Sequence, residues 1–278
     1  MLSSPVTGAD ADSVVAIDTA PQVTVTRADG TVLAEPTVSA VDAAAGLWQA
    51  TLTAEHTERL DTLTLDWTAD VDGATWVERQ EAQVVGGRWV TVAQMRRERG
   101  IESRAQFPGW RIDEEITALE DLVESWHERA WVPRASRETI WLDRSRTSVP
   151  LPARLAPVRS VRAVVLDGDD EDLDDWDVDA AAAVLHPSTR LTAGQELAVE
   201  VEHGEDRPPP QVIPEARRYL RQRLLSSEVT APSDAISETE DGRTIRYSTP
   251  DARNGRPTGH LALDAAIQRM RPRVPGFA

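Results

Sequence analysis

Apolar residues recur at Ile116, Leu119, Val123, Trp126 and Ala130, in steps of three and four, a spacing that lays one stripe along an α-helix. The spacing predicts a helix over 113–130. Asp113, Glu114 and Glu115 open it, where carboxylates meet the positive end of the helix dipole, and Pro133 closes it. The texture then changes. Residues 136–142, 147–151, 158–166 and 196–201 are short runs rich in Val, Leu, Ile or Thr, with Asp167-Gly168 as a turn signal, and they predict a small sheet. His203-Gly204-Glu205-Asp206 and Pro208-Pro209-Pro210 lead on to Pro214, which suits the first turn of a helix over 215–225.

Upstream, the period is two. Leu63, Leu65 and Trp67 alternate with Thr62, Thr64 and Asp66, as a half-buried strand requires. Further β-prone runs lie at 23–27, 31–33, 37–41, 47–53 and 75–85, punctuated by Asp29-Gly30, Ala45-Gly46 and Asp72-Gly73. Strands at this spacing predict a β-sandwich over residues 1–86, with Gly86-Gly87 as the hinge that follows it. Thr91-Val92-Ala93-Gln94 has the form of a capping box before a short helix over 95–99, and Gly100 is placed as its stop. Downstream, a polar linker over 226–241 precedes a strand-like 244–248, a Gly/Pro/Asn-rich loop over 250–259 and a helix over 261–270. Leu263, Ile267 and Met270 share one face of that helix, and Arg269, Arg271 and Arg273 make its end basic. Too small to bury itself, this arm is expected to dock on something.

The order helix, sheet, helix, with LPARLAPVRSVRAVVLDG after the first helix and VEVEHGEDRPPPQVIPEARRYLRQRL at the end, resembles the head-tail connector (adaptor, or head-completion) proteins of long-tailed bacteriophages. The likeness covers residues 88–225 and rests on order and texture. The capping box at Thr91 to Gln94 belongs to it, since a short helix precedes the long one in that family. The segment 101–110, with Phe107-Pro108-Gly109-Trp110, departs from it by being longer than a simple link. The N-terminal pattern resembles the immunoglobulin-like domains added to many phage structural proteins. Together these imply an α+β multidomain chain: an Ig-like β-sandwich over 1–86, a helical connector domain with a small inserted β-sheet over 87–230, and a C-terminal docking arm over 231–278.

Composition changes the picture in two ways. The chain has no cysteine, which excludes disulfides and thiolate metal sites, and no run approaches the roughly 20 apolar residues that span a bilayer. Residues 1–20 lack a cleavable signal pattern, so synthesis in the cytoplasm without membrane association is expected. The net charge of −17 argues against general affinity for DNA phosphates. An acidic wall suits a conduit along which DNA slides, and it equally suits plain solubility. All 30 basic residues are arginine, a bias that favours bidentate ion pairs and that GC-rich coding also produces. Charge is spread unevenly: residues 1–86 hold nine Asp and five Glu against three Arg, while residues 211–278 hold eight acids against eleven Arg.

Catalytic signatures are missing from the sequence: there is no Gly-x-Ser-x-Gly elbow, phosphate-cradling loop or His-Glu-x-x-His helix. His127 falls near a helix end and His203 at a strand-to-loop turn, both structural positions. The run Asp167-Gly168-Asp169-Asp170-Glu171-Asp172, with Asp174 and Asp175, has Asp172 and Val178 where an EF-hand needs glycine and glutamate, and reads as an acidic surface loop. Trp48, Trp67 and Trp76 would suit a glycan platform if exposed, but sandwich tryptophans ordinarily fill the core. No catalytic, cofactor or metal residue is assigned.

The expected function is that of a structural virion protein in the capsid-tail neck, assembled in the host cytoplasm. The resemblance implies an adaptor ring of identical copies, twelvefold to match the portal, that extends the DNA channel without reading DNA sequence and offers a surface to a tail-side stopper. Candidate portal-docking residues are Leu263, Ile267, Arg269, Met270, Arg271 and Arg273, and candidate subunit-interface or channel residues are Arg217, Arg218 and Arg221. A glycan-binding or capsid-decorating protein acting through residues 1–86 is the alternative, and a carboxylate hydrolase a third.

Overall fold

A computed structural model describes residues 2–5, 20–42, 46–71, 74–226, 237–240, 243–246 and 256–270. The chain forms two compact units, Met1–Gly86 with Pro133–Gly204, and Gly87–Val132 with Glu205–Ala278.

In the first unit, β1 (Leu2–Pro5), β4 (Leu47–Thr51) and β3 (Thr37–Asp42) make one three-stranded antiparallel sheet. A second is built by β2 (Gln22–Arg27), β5 (Asp61–Val71) and β6 (Ala74–Val84). Val23 and Val25, Trp48 and Ala50, and Leu63, Leu65 and Trp67 come from both sheets into one buried cluster. The alternation on β5 thus does what its sequence requires, with apolar positions inward and Thr62, Thr64 and Asp66 partly exposed. Residues 31–33 supply only the isolated bridge Thr26↔Val32. Two buried polar groups are fully committed. Arg27 reaches Asp61 at 3.1 Å and donates to the Glu55 carbonyl at 2.9 Å. The buried His56 ring joins Thr53 and the Ala34 carbonyl, tying a turn to the strand connection before it.

The same unit holds a second pair of sheets. β7 (Arg134–Trp141), β13 (Glu196–His203), β9 (Val158–Leu166) and β10 (Asp169–Asp170) form a four-stranded antiparallel sheet in the order β10-β9-β13-β7. β11 (Trp176–Asp179), β12 (Val184–Pro187) and β8 (Val149–Pro150) form a three-stranded one. Leu155, Leu185, Leu197, Val199 and Val201 fill a core common to both. Asp167 at φ 53° and Gly168 at φ 94° make the two-residue turn between β9 and β10 that their pairing in sequence signals. On β9 the register against β13 slips at Glu200/Val201, leaving Arg162 as an extra residue. A bulge re-aims the side chain it carries. Here the Arg162 guanidinium reaches Glu202 and also donates to the Leu60 carbonyl at 2.6 Å, so it ties this sheet to the loop before β5.

The second unit is organised by α2 (Gly109–His127). Its buried stripe is Ile112, Ile116, Leu119 and Val123. The helix starts four residues before the expected 113 because Ile112 is the first member of that stripe, so Asp113, Glu114 and Glu115 lie inside it rather than in its first turn. It ends at His127, with Glu128 in the left-handed region at φ 52°, three residues short of the expected 130. Two carboxylates on the same face are buried with the stripe. Glu120 accepts from Arg88 Nη1 at 2.7 Å and from the Trp89 backbone N–H at 2.8 Å. Glu124 accepts from Trp89 Nε1 at 3.3 Å and from the Trp131 backbone N–H at 3.1 Å. The Trp89 and Trp131 rings stack at 4.8 Å between centroids.

The remaining helices are α1 (Val92–Met95), α3 (Val212–Ser226) and α4 (Leu261–Gln268). The capping box at Thr91 and Gln94 is formed, although its helix begins at Val92 rather than 95. Gly100 follows at φ 91°. Pro214 sits in the first turn of α3, as expected, and Val212, Ala216, Tyr219, Leu220 and Leu224 form its buried face. The longer segment after Gly100 is an ordered loop: Ile101 and Phe107 are fully buried, and Arg96 donates to the carbonyls of Ile101, Ser103 and Phe107. β14 (Ser237–Glu240) pairs with β15 (Arg243–Arg246) where a polar linker was expected, and the rest of the expected linker, with residues 247–255, lies outside the described residues.

The expected fold class is overturned. The described residues hold fifteen strands in five sheets against four α-helices, a mostly β chain, and no helical connector domain over 87–230 is formed. Residues 133–204 are not a small insert carried by helices. They have their own core of twelve buried apolar residues and group with the N-terminal strands. The reason is that β10 lies within the acidic stretch that reads as loop, and β11 and β12 follow it as short strands of four residues each. Trp176 and Val178 face inward there and Asp177 and Asp179 outward.

Two consequences are testable. Replacing Glu120 by Ala leaves Arg88 and the Trp89 N–H without their buried acceptor and should cost about 3 kcal/mol in urea unfolding, whereas the exposed Glu114→Ala should stay within about 0.5 kcal/mol. Arg162→Ala should leave the β9–β13 ladder formed but speed proteolysis within residues 54–60. An unchanged cleavage rate there would show that the bond to Leu60 holds nothing in place.

Candidate functional site

Arg217, Arg218 and Arg221 share one side of α3, as their spacing requires. The structure gives them different duties. Arg217 pairs with Glu98, and Arg221 donates through Nε to the Arg99 carbonyl at 2.6 Å. Both hold α3 to the turn after α1, where Gly100 leaves room for Leu225. Among the described residues Arg218 pairs with Glu215, one turn back on its own helix, and its side chain is 70% exposed. It is the most exposed of the three, the other two being half-buried.

The C-terminal candidates divide likewise. Leu263 and Ile267 are fully buried, and α4 packs on α3, with Tyr219 and His260 in edge contact at 6.1 Å. The His260 ring caps α4 by accepting from the Leu263 N–H at 3.2 Å, and buried Asp264 accepts from the Thr258 N–H and hydroxyl. Arg269 is exposed and Met270 half-buried, while Arg271 and Arg273 lie outside the described residues.

Three other features singled out in the sequence find their places. Trp48 is 8% exposed and Trp67 fully buried, with Trp76 packed on the same cluster, so they serve the core and build no open aromatic platform. The acidic run is largely exposed and forms β10 and the turns beside it, with members partly spent on their own structure: Asp167 accepts from the Glu196 N–H and from Gln195, and Asp175 from Ser188. Among the described residues no group of three or more His, Asp or Glu is placed to hold a metal ion, and no helix is long and apolar enough to cross a membrane.

Sequence reasoning missed a basic cleft and an exposed tryptophan. Arg144, Arg146 and Arg190 line a cleft of about 420 Å³ together with Ser145, Thr147 and Ser148. It forms because the loop after β7 pairs with the loop after β12 through mutual Arg146 and Leu191 backbone bonds. Arg190 lies far from the other two in sequence, so only the run Arg144 to Arg146 could have hinted at it. Trp141 is 68% exposed at the end of edge strand β7, beside Val165 and Ala198 on the outer sheet face.

No protein-family model matches the chain, and neither does any curated protein. Among solved structures, a chain described as "Neck of empty GTA particle computed with C6 symmetry" is similar, at 18% identity and a TM-score of 0.43, over 67% of this chain and 92% of its own length.

His203 closes β13 at 5% exposure, with Ser136 Oγ 2.9 Å from Nε2 and, among the described residues, no partner on Nδ1. Burial, with help from the charges of Arg134 and Arg154, pushes its pKa down from 6.5 to about 4. The folded protein therefore refuses a proton that the unfolded chain accepts. The contribution of neutral His203 is whole above pH 6.5 and falls as pH drops toward 4, a loss on the order of 3 kcal/mol. Urea unfolding of wild type and His203→Gln across this window should show the slope in wild type and a flatter profile in the variant.

Proposed function

We propose that this chain is a noncatalytic structural protein of a phage virion neck, one copy of an adaptor ring that sits between portal and tail and continues the DNA channel. The observation that carries the reading is the order of elements from Arg88 to Leu225: a short capped helix, the long helix α2, antiparallel sheets ending at His203-Gly204, a proline-rich passage, and α3. It is the order on which the resemblance to head-tail connector proteins rests. The groups with unusual environments also have architectural duties. Glu120, Glu124, His56 and His203 are each bonded to backbone or to a neighbouring structural side chain.

In this reading the ring is twelvefold to match the portal, and DNA passes without sequence-specific contact. The net charge of −17 disfavours tight phosphate binding and so favours sliding. With Leu263 and Ile267 committed to the fold, portal docking falls to the basic end of the chain, Arg269 with Arg271 and Arg273, and exposed Arg218 is the member of the α3 set that meets a neighbour or the channel. Imaging particles that carry a labelled copy tests the reading: density in a ring beneath the portal supports it, and label spread over the capsid shell defeats it. The triple reversal R269E/R271E/R273E should weaken portal binding about tenfold or more at low salt, with less effect at high salt. Equal affinity of both chains would remove this segment from the docking surface.

A further inference from the structure

The basic cleft of the first unit and the acidic segment of the same unit are complementary in charge and only partly committed to partners of their own. Arg146 pairs with Asp143 at 2.6 Å and the charge of Arg144 also acts on that carboxylate, but neither Arg144 nor Arg190 makes an ion pair or hydrogen bond among the described residues. The hydroxyls of Ser145, Thr147 and Ser148 line the same space. In the hairpin segment that follows β9, Asp169 and Asp170 of β10 and Asp172 and Asp174 beyond it are exposed. No ion pair joins this loop to the cleft arginines within one chain, among the described residues. Both features are held on fixed supports. The cleft rests on the Arg146 and Leu191 ladder, and the loop is fastened at one end by the Asp167 turn and at the other by Asp175 to Ser188.

We infer that the Arg144, Arg146 and Arg190 cleft is the socket into which the Asp169–Asp174 loop of a second copy of this chain inserts, making the contact that joins neighbours in the ring. The inference rests on the ring reading above and names its interface. Guanidinium forks match carboxylates in bidentate pairs, and the hydroxyls can donate to the oxygens left over. Socket and plug are different surfaces, so the contact is heterologous and propagates from copy to copy until the rotation closes a ring, whereas cleft against cleft would set like charges together. A DNA phosphate is the rival occupant. It is disfavoured because the loop's carboxylates lie in the same unit of a chain already at −17, while every neighbour brings its own loop in equal number.

The chain has no cysteine, so two engineered ones report alone. Full-length Ser148→Cys and Asp172→Cys chains are mixed with a short bismaleimide crosslinker, and each is also treated by itself. The mixture should give a crosslinked dimer that neither gives alone. R144E/R190E added to the socket chain should cut the yield about tenfold, and D170R/D174R added to the plug chain should restore it when both are present. The milder R144Q/R190Q, checked by its unfolding midpoint, replaces the reversal if that one fails to fold. A mixture yielding no more dimer than the single chains overturns the inference, as does a duplex DNA oligonucleotide that binds wild type and is lost with R144E/R190E. A ring imaged beneath the portal without the crosslink defeats this interface and leaves the ring reading standing. Label on the shell defeats both.

Discussion

The second unit depends on two carboxylates that one helix face carries into the interior. Glu120 and Glu124 are 1% and 8% exposed, one turn apart on α2. Between them they accept from a guanidinium, an indole and two backbone N–H groups drawn from residues 88–89 and 131. A buried carboxylate without such donors is costly, so the helix is stable in its place only when both ends of the 87–132 segment close around it. That closure sets the stacking of Trp89 on Trp131, and the Trp131 N–H bond accompanies the chain's turn out of the helix at Glu128.

The first unit uses arginine in a comparable way. Arg27 is buried with Asp61 and completes its valence on the Glu55 carbonyl, and Arg162 is turned by a β-bulge onto Leu60. Each guanidinium joins segments distant in the chain, a task for which a planar donor fork is better suited than an ammonium. A lysine-free chain thus spends much of its positive charge internally, and its surface stays acidic. The exposed arginines of the cleft and Arg218 stand against that surface and are places where electrostatic selectivity between partners would arise.

The sheets of the first unit are built on two apolar cores, and the connecting loops carry exposed charges. His203 marks the opposite demand, a polar ring kept neutral inside the sheet end by burial.

The sequence by itself determined the elements whose periodicity is strong. The stripe of α2, the Leu63-Leu65-Trp67 alternation, the capping box at Thr91, Pro214 in the first turn of α3 and the Asp167-Gly168 hairpin are local, and local sterics and burial suffice to read them. Weak or hidden patterns were not legible: β1 is four residues long, β14 alternates serine and threonine with glutamate, and β11 interleaves its apolar residues with aspartates in a run that reads as loop. Nor could a linear chain show that residues 133–204 build a second core and group with the first 86, or that Leu263 and Ile267 would be consumed by packing rather than left for a partner. The cleft of Arg144, Arg146 and Arg190 belongs to the same class. These depend on which distant segments meet, and that choice is made by the summed burial of many side chains rather than by any one stretch of sequence.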